Sequence, residues 1–115
     1  ITMTSDACGS LPDFDKNGNL VQLDMGLPIS LTHELRDMVK KEKLPMETAL
    51  SVVTSNVADI LKLDQKGRIA KGKDADLLLI DDDFGIVHMT AMGNWMIRDG
   101  EIQKYGSYEN SGKKK

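Results

Sequence analysis

The apolar residues change their spacing once along the chain, near Leu63, and that change restricts the fold to a mixed one. Before it, Leu31, Leu35, Met38 and Val39 recur on one face of a 3.6-residue period, which predicts an amphipathic helix. Ser30 has the oxygen to cap its first free N–H groups. Lys40, Lys41 and Lys43 fall in the last turn, where the helix dipole favours cations. Pro45 suits the first turn of a second helix, with Met46, Ala49, Leu50 and Val53 facing inward. A third short helix, SNVADILKL, is predicted to pack Val57, Ile60 and Leu61. After Leu63, Gly67, Gly72, Gly85, Gly93, Gly100 and Gly106 separate short apolar runs. DLLLI, IVHMTAM and NWMIRD read as strands, and Asp99-Gly100 as a hairpin turn.

The N-terminal stretch adds a different pattern. ITMT alternates apolar and polar residues and reads as the end of a strand, and residues 5–12 form a loop rich in Ser, Gly and Pro. Asn17-Gly18 sits between short β-type segments, so a hairpin with a type I′ turn is the local expectation. The chain therefore divides into a mainly helical part, 1–63, an all-β part, 64–108, and a tail, 109–115, expected to be disordered. No internal repeat is present.

Length and composition set bounds. A chain of 115 residues makes one small domain, able to bury roughly two-thirds of its unfolded surface. The net charge of −3 argues against a nucleic-acid partner, which needs a basic surface. Lys113 to Lys115 read as a solvated tail. Cys8 is the only cysteine, which excludes an internal disulfide and fits a reducing cytoplasm. Cys8 as a nucleophile would need a nearby base, and no histidine is close in sequence, so a small buried thiol is the simpler expectation. No apolar run reaches the roughly 18 residues of a membrane span. The chain starts mid-pattern at Ile1, without Met or a signal peptide, which suggests a piece of something longer.

Two metal chemistries compete in the first 24 residues. In DFDKNGNLVQLD, Asp13, Asp15, Asn17, Gly18 and Asp24 match a calcium loop at positions 1, 3, 5, 6 and 12. The flanks disagree with it, because such a loop lies between helices. Gly9 and Pro12 precede this one, and Gly26 and Pro28 fall where the exit helix would run. The plainer reading is a hairpin with solvated carboxylates. Asp6 is the other candidate: a carboxylate at a strand end, which on local evidence alone is a turn or cap residue.

Residues 44–81 change the weight of Asp6. Ala49-Leu50, Thr54, Asn56, Ala58, Gly67, Ile69, Gly72, Asp74-Ala75-Asp76-Leu77, Gly93 and Asp99-Gly100 match, at family spacing, the C-terminal signature of the metal-dependent amidohydrolases. Within that superfamily the chain most resembles the isoaspartyl dipeptidases. Ser5-Asp6, Gly9-Ser10 and Pro12, then Phe14-Asp15 and Gly18-Asn19-Leu20, follow their pattern. One departure is Cys8, where many members carry Asn.

The resemblance implies an α/β fold: the C-terminal end of a (β/α)8 TIM barrel with strands of a small β-sandwich beside it, and the active site at the C-terminal ends of the barrel strands. It implies that Asp6 is the last ligand of a two-zinc site and carries a proton from the bridging hydroxide to the leaving amine. It implies that Ser10 hydrogen-bonds a carboxylate of an isoaspartyl dipeptide substrate. The family's histidine ligands are not here: His33 and His88 are the only two, expected to be structural or exposed. The chain alone is therefore expected to be an inactive part of the hydrolase, needing the remainder of the enzyme, and the protein is expected to assemble as a homo-oligomer. Alternatives are a cyclic-amide hydrolase or deaminase of the same superfamily, a non-catalytic calcium-binding module, and an autonomous β-rich interaction domain.

Overall fold

The computed structural model describes residues 1–109. Two antiparallel sheets flank three helices: β1 (Ser10–Phe14) and β2 (Leu20–Met25) form a ribbon; α1 (Ser30–Lys40), α2 (Met46–Ser51) and α3 (Ser55–Leu61) follow; β3 (Leu77–Ile80), β4 (Ile86–Ala91), β5 (Asn94–Arg98) and β6 (Glu101–Ile102) form a meander in sequence order. The change near Leu63 is thus the change from helices to meander. The meander is one layer, and the described residues supply no second layer packed on it to make a sandwich. The expected disorder falls mainly on residues 110–115, outside the described residues; Glu109 lies in a turn.

Several local expectations shift for identifiable reasons. Residues 1–4 are not paired into either sheet; Met3 N–H donates instead to the Val52 carbonyl at 3.0 Å. A strand needs a neighbour, and the described residues offer none on that side. The loop after Asp6 ends sooner than expected, because β1 begins at Ser10 and contains Pro12. A two-stranded ribbon has a free edge on each strand, which can accept a residue without an N–H. Ser30 is the first helical residue of α1, and the cap position is Ile29, with no side-chain cap. In α3 it is Ala58 that is buried, at 4%, whereas Ile60 and Leu61 are 64% and 61% exposed.

The ribbon turn is not type I′. Gly18 has φ +82° but Asn17 does not share the positive φ which that turn requires. Gly18 N–H donates to the Asp15 carbonyl at 3.0 Å, a turn with Asp first and Gly fourth, followed by a shift of register at Phe14. The type I′ geometry appears instead in the meander, at Asp99-Gly100 as expected and at Met92-Gly93 as well. Met92 gave no signal because it is not a turn residue.

The interior is thin. Ala49, Ala58 and Phe84 are the buried apolar side chains among the described residues. Phe84 closes the β3–β4 turn with φ +64°, held by a hydrogen bond from its N–H to the Asp81 carbonyl. The accessible surface is 9291 Å², against roughly 6,200 Å² for a folded monomer of 12.7 kDa. The chain thus buries about half of what its unfolded form exposes rather than two-thirds. The radius of gyration, 17.3 Å, exceeds the roughly 13 Å of a compact domain this long.

Candidate functional site

Asp6 sits at the point where the N-terminal segment turns into the ribbon. Its backbone is left-handed, φ +47°, a conformation Asp tolerates better than most residues. Gly9 N–H donates to the Asp6 carbonyl at 2.8 Å and closes a four-residue turn. Of the two central residues only Cys8 has a positive φ, +67°, the type II pattern. That position favours Gly or Asn, which marks Cys8 as strained. Cys8 is exposed rather than buried, contrary to expectation, because this turn points its third residue outward.

The base of the ribbon holds this turn. Cys8 N–H donates to the Gly26 carbonyl at 2.9 Å, and Gly26 N–H to the Gly9 carbonyl at 2.9 Å. On the other side, Asn56 Nδ2 donates to the Ile1 carbonyl at 2.8 Å, and Val52 receives Met3. The segment 1–9 is therefore pinned by α2–α3 at one end and by the ribbon at the other. The Asp6 carboxylate makes no hydrogen bond or ion pair among the described residues. Ser10 follows as the first residue of β1, opposite Met25, with an exposed hydroxyl that has no partner among them either. Both side chains are free to meet a ligand.

The calcium alternative finds no geometry to support it. Asp13 and Asp24 lie on strands rather than between helices, and Asp24 accepts from Gln22 Nε2 at 2.7 Å. The Asp15 carboxylate is engaged within its own loop, by Asn19 Nδ2 at 3.0 Å and by the Asn19 and Asn17 N–H groups at 2.9 and 2.8 Å. The Asn19 side chain, and then these backbone donors, hold its pKa below the usual carboxylate value.

The two histidines are far from a common site in the topology. His33 lies on α1 beside a cavity of about 330 Å³ that Arg36 and Phe84 also line. His88, on β4, accepts the Asp99 N–H at Nδ1, 3.2 Å, and its ring lies 5.6 Å from that of Trp95. Among the described residues no group of three or more His, Cys, Asp or Glu converges to hold a metal. These residues alone therefore do not fit a two-metal centre: Asp6 is a single carboxylate that no pair of other candidate ligands joins among the described residues.

The signature residues near the all-β boundary are structural. Lys66 Nζ bonds Asp76 at 2.5 Å and Asp74 at 3.0 Å, and the other Asp76 oxygen accepts the Met92 N–H at 2.7 Å. The Asp76 and Asp74 hydrogen bonds raise the Lys66 pKa, and the Lys66 bond, then Met92, lowers that of Asp76. The Ala75 carbonyl accepts from Gly93 N–H at 3.1 Å and Thr90 Oγ1 at 2.8 Å. Asp-Ala-Asp therefore ties the start of β3 to the β4–β5 turn. Asp59 and Arg68 form a bidentate pair, both distances 2.8 Å, joining α3 to the loop that leads from it to β3.

A carboxylate on a pinned turn, three helices and this tied meander follow one another along the chain. The amidohydrolase family profile matches residues 1–105, and the chain belongs to that family. Its fold is similar to the crystal structure of a beta-aspartyl dipeptidase from Fervidobacterium islandicum AW-1 in complex with beta-Asp-Leu dipeptide. The TM-score is 0.81 at 39% identity, over 92% of this chain and 28% of that one. Among curated sequences it is 36% identical to an allantoinase of Salmonella newport over 75 residues, 63% of this chain and 17% of the allantoinase. It is 46% identical to a dihydroorotase of Halobacterium salinarum over 41 residues, 36% of this chain and 10% of the dihydroorotase. The chain thus spans a minor part of each relative. No helix among the described residues is long and apolar enough to cross a membrane.

Proposed function

We propose that this chain is the C-terminal part of a (β/α)8-barrel hydrolase that cleaves the β-linked amide of isoaspartyl dipeptides. One observation carries the reading: the likeness to the beta-aspartyl dipeptidase extends over 92% of the chain with a TM-score of 0.81 and 39% identity. In this reading Asp6 is the proton carrier. It takes a proton from the water that attacks the amide carbonyl, the C–N bond breaks, and the proton passes to the departing amine. The pinned turn supports this role by fixing the carboxylate without using its oxygens. Ser10, one turn further on with a free hydroxyl, donates to a substrate carboxylate.

Two zinc ions are part of the proposal, with Asp6 as the contribution of this chain and the other ligands from the remainder of the enzyme. Such ions supply water activation and carbonyl polarisation. The chain alone is proposed to be inactive. The apolar side chains left exposed on the ribbon and on β3, among them Phe14, Leu23, Leu78 and Leu79, support a reading in which the rest of the enzyme, and further copies of it, cover them. A cytoplasmic setting accords with the lone free thiol of Cys8.

A second reading, a cyclic-amide hydrolase, draws on the allantoinase and dihydroorotase matches. The test uses the complete enzyme that contains this chain, assayed with β-Asp-Leu, α-Asp-Leu, dihydroorotate and allantoin. Release of leucine from β-Asp-Leu alone, lost by about 100-fold or more in Asp6→Asn, is expected. Turnover of either cyclic amide with none of β-Asp-Leu would transfer the reading to the second class.

A further inference from the structure

The ribbon returns to the Asp6 turn at Gly26, far along the chain from it and outside the motif residues that mark the family. Gly26 is buried, and its backbone lies directly against Asp6. A Cβ at position 26 would stand 2.5 Å from the Asp6 carbonyl oxygen and 3.2 Å from both the Asp6 carbonyl carbon and the Ser5 oxygen. All three atoms are backbone, so no side chain can swing aside to make room. The same residue receives the Cys8 N–H and donates to Gly9. Gly9 is the second wall: a Cβ there would lie 2.7 Å from the Asp6 Cγ. The Asp6 turn is thus held between two residues without side chains, one beneath its carboxylate and one behind its carbonyl.

We infer that Gly26 is a positioning residue for Asp6, acting through the backbone of the turn rather than by touching substrate. The inference rests on the reading of Asp6 as the proton carrier. Its physical content is that the exit of the hairpin, not the sequence around Asp6, sets the height of the carboxylate. A methyl group at position 26 pushes the Asp6 carbonyl outward and lengthens the Cys8 to Gly26 hydrogen bond, which rotates a turn already holding two left-handed residues.

The test is a double-mutant cycle in the complete enzyme with β-Asp-Leu as substrate. Gly26→Ala is expected to lower kcat by about 100-fold, the cost of a misplacement near 1 Å, with KM changed by less than about twofold. On an Asp6→Asn background the same change is expected to lower the residual kcat by less than about threefold, because the group it positions is already gone. Gly85→Ala, whose Cβ would lie 2.7 Å from an Asp81 carboxylate oxygen in the β3–β4 turn, away from the residues that hold Asp6, is the control: it lowers the melting temperature and leaves kcat unchanged. Equal losses from Gly26→Ala on both backgrounds overturn the inference. Should Asp6→Asn itself leave kcat intact, the reading of Asp6 fails instead, and the two failures are distinct. If Gly26→Ala does not fold, amide hydrogen exchange on the wild-type enzyme decides. The Cys8 amide is expected to be protected together with the Gly26 amide, and exchange at the rate of an open loop overturns the proposal.

Discussion

Gly67→Ala is predicted to destabilise the protein by about 2–5 kcal/mol, the sum of two separable costs. Gly67 has φ +79°, and an alanine held there loses about 1–2 kcal/mol to the left-handed backbone. The new Cβ would also lie 2.5 Å from the Ala58 Cβ and 2.9 Å from the Thr54 carbonyl oxygen, well inside the roughly 3.5–4.0 Å of normal carbon contact. Ala58 is buried and Thr54 O already accepts the Ala58 N–H at 3.0 Å, so neither can retreat without opening the start of α3. Overpacking of this kind costs about 1–3 kcal/mol. Urea denaturation of the complete enzyme, followed by circular dichroism, measures the sum. A loss under about 1 kcal/mol would mean that the loop after α3 shifts freely. The reading that the absence of a side chain at Gly67 lets the loop pack directly on α3 would then be wrong.

The remaining predictions concern the turn, the ribbon and the ionic tie. Cys8→Asn should raise stability by about 0.5–1 kcal/mol, because Asn tolerates the left-handed backbone that strains Cys; thermal denaturation reads the gain, and a loss refutes the type II assignment. Asp15→Ala should leave the helices intact and raise amide exchange at Asn17 and Asn19, whose N–H groups lose their acceptor. Because the Asp15 pKa is lowered in the folded state, its contribution is fully present above the ordinary carboxylate value and fades as pH falls through the lowered one. The ribbon amides should therefore lose protection on acidification, and not on a rise in pH. Lys66→Gln should return the Asp76 pKa toward its ordinary value, visible by carboxylate NMR titration, and make stability less sensitive to salt.

How much of this was legible depended on whether a residue acts through local or distant partners. The change from a helical to a strand pattern near Leu63 is local, and it located the meander. The Asp99-Gly100 turn was readable for the same reason, since those residue types suit positive φ at both places. Met92-Gly93 adopts the same turn without the signal, because the Asp76 carboxylate and the Ala75 carbonyl hold it from across the sheet. The burial of Phe84 was invisible too, hidden in an acidic run that reads as a solvated loop. At the site, Asp6 and Ser10 came from a family resemblance and not from any local pattern. Their backbone holders were beyond reach, since Gly26, Val52 and Asn56 act on residues 1–9 through contacts between segments far apart in sequence.

These holders differ in what they fix. Asn56 and Val52 grip the chain before Asp6, through Ile1 and Met3, and so set where the segment enters. Gly9 and Gly26 grip the turn itself and set which way the carboxylate leaves it. Of the first pair, Asn56 is among the motif residues through which the chain resembles the amidohydrolases. The second pair includes the end of a ribbon that the cyclic-amide hydrolases would not be expected to share. On the proposed reading, substrate choice would follow from the ribbon, because β1 begins with Ser10 immediately beyond the turn, and moving the ribbon moves Ser10 and Asp6 together. Replacing residues 10–25 of the complete enzyme by a short linker that keeps Gly9 and Gly26 separates the two functions. If the ribbon carries the dipeptide preference, KM for β-Asp-Leu rises by at least about tenfold. If kcat falls by the same factor as in Gly26→Ala while KM stays constant, the ribbon serves only to hold Asp6, and the role assigned to Ser10 is refuted.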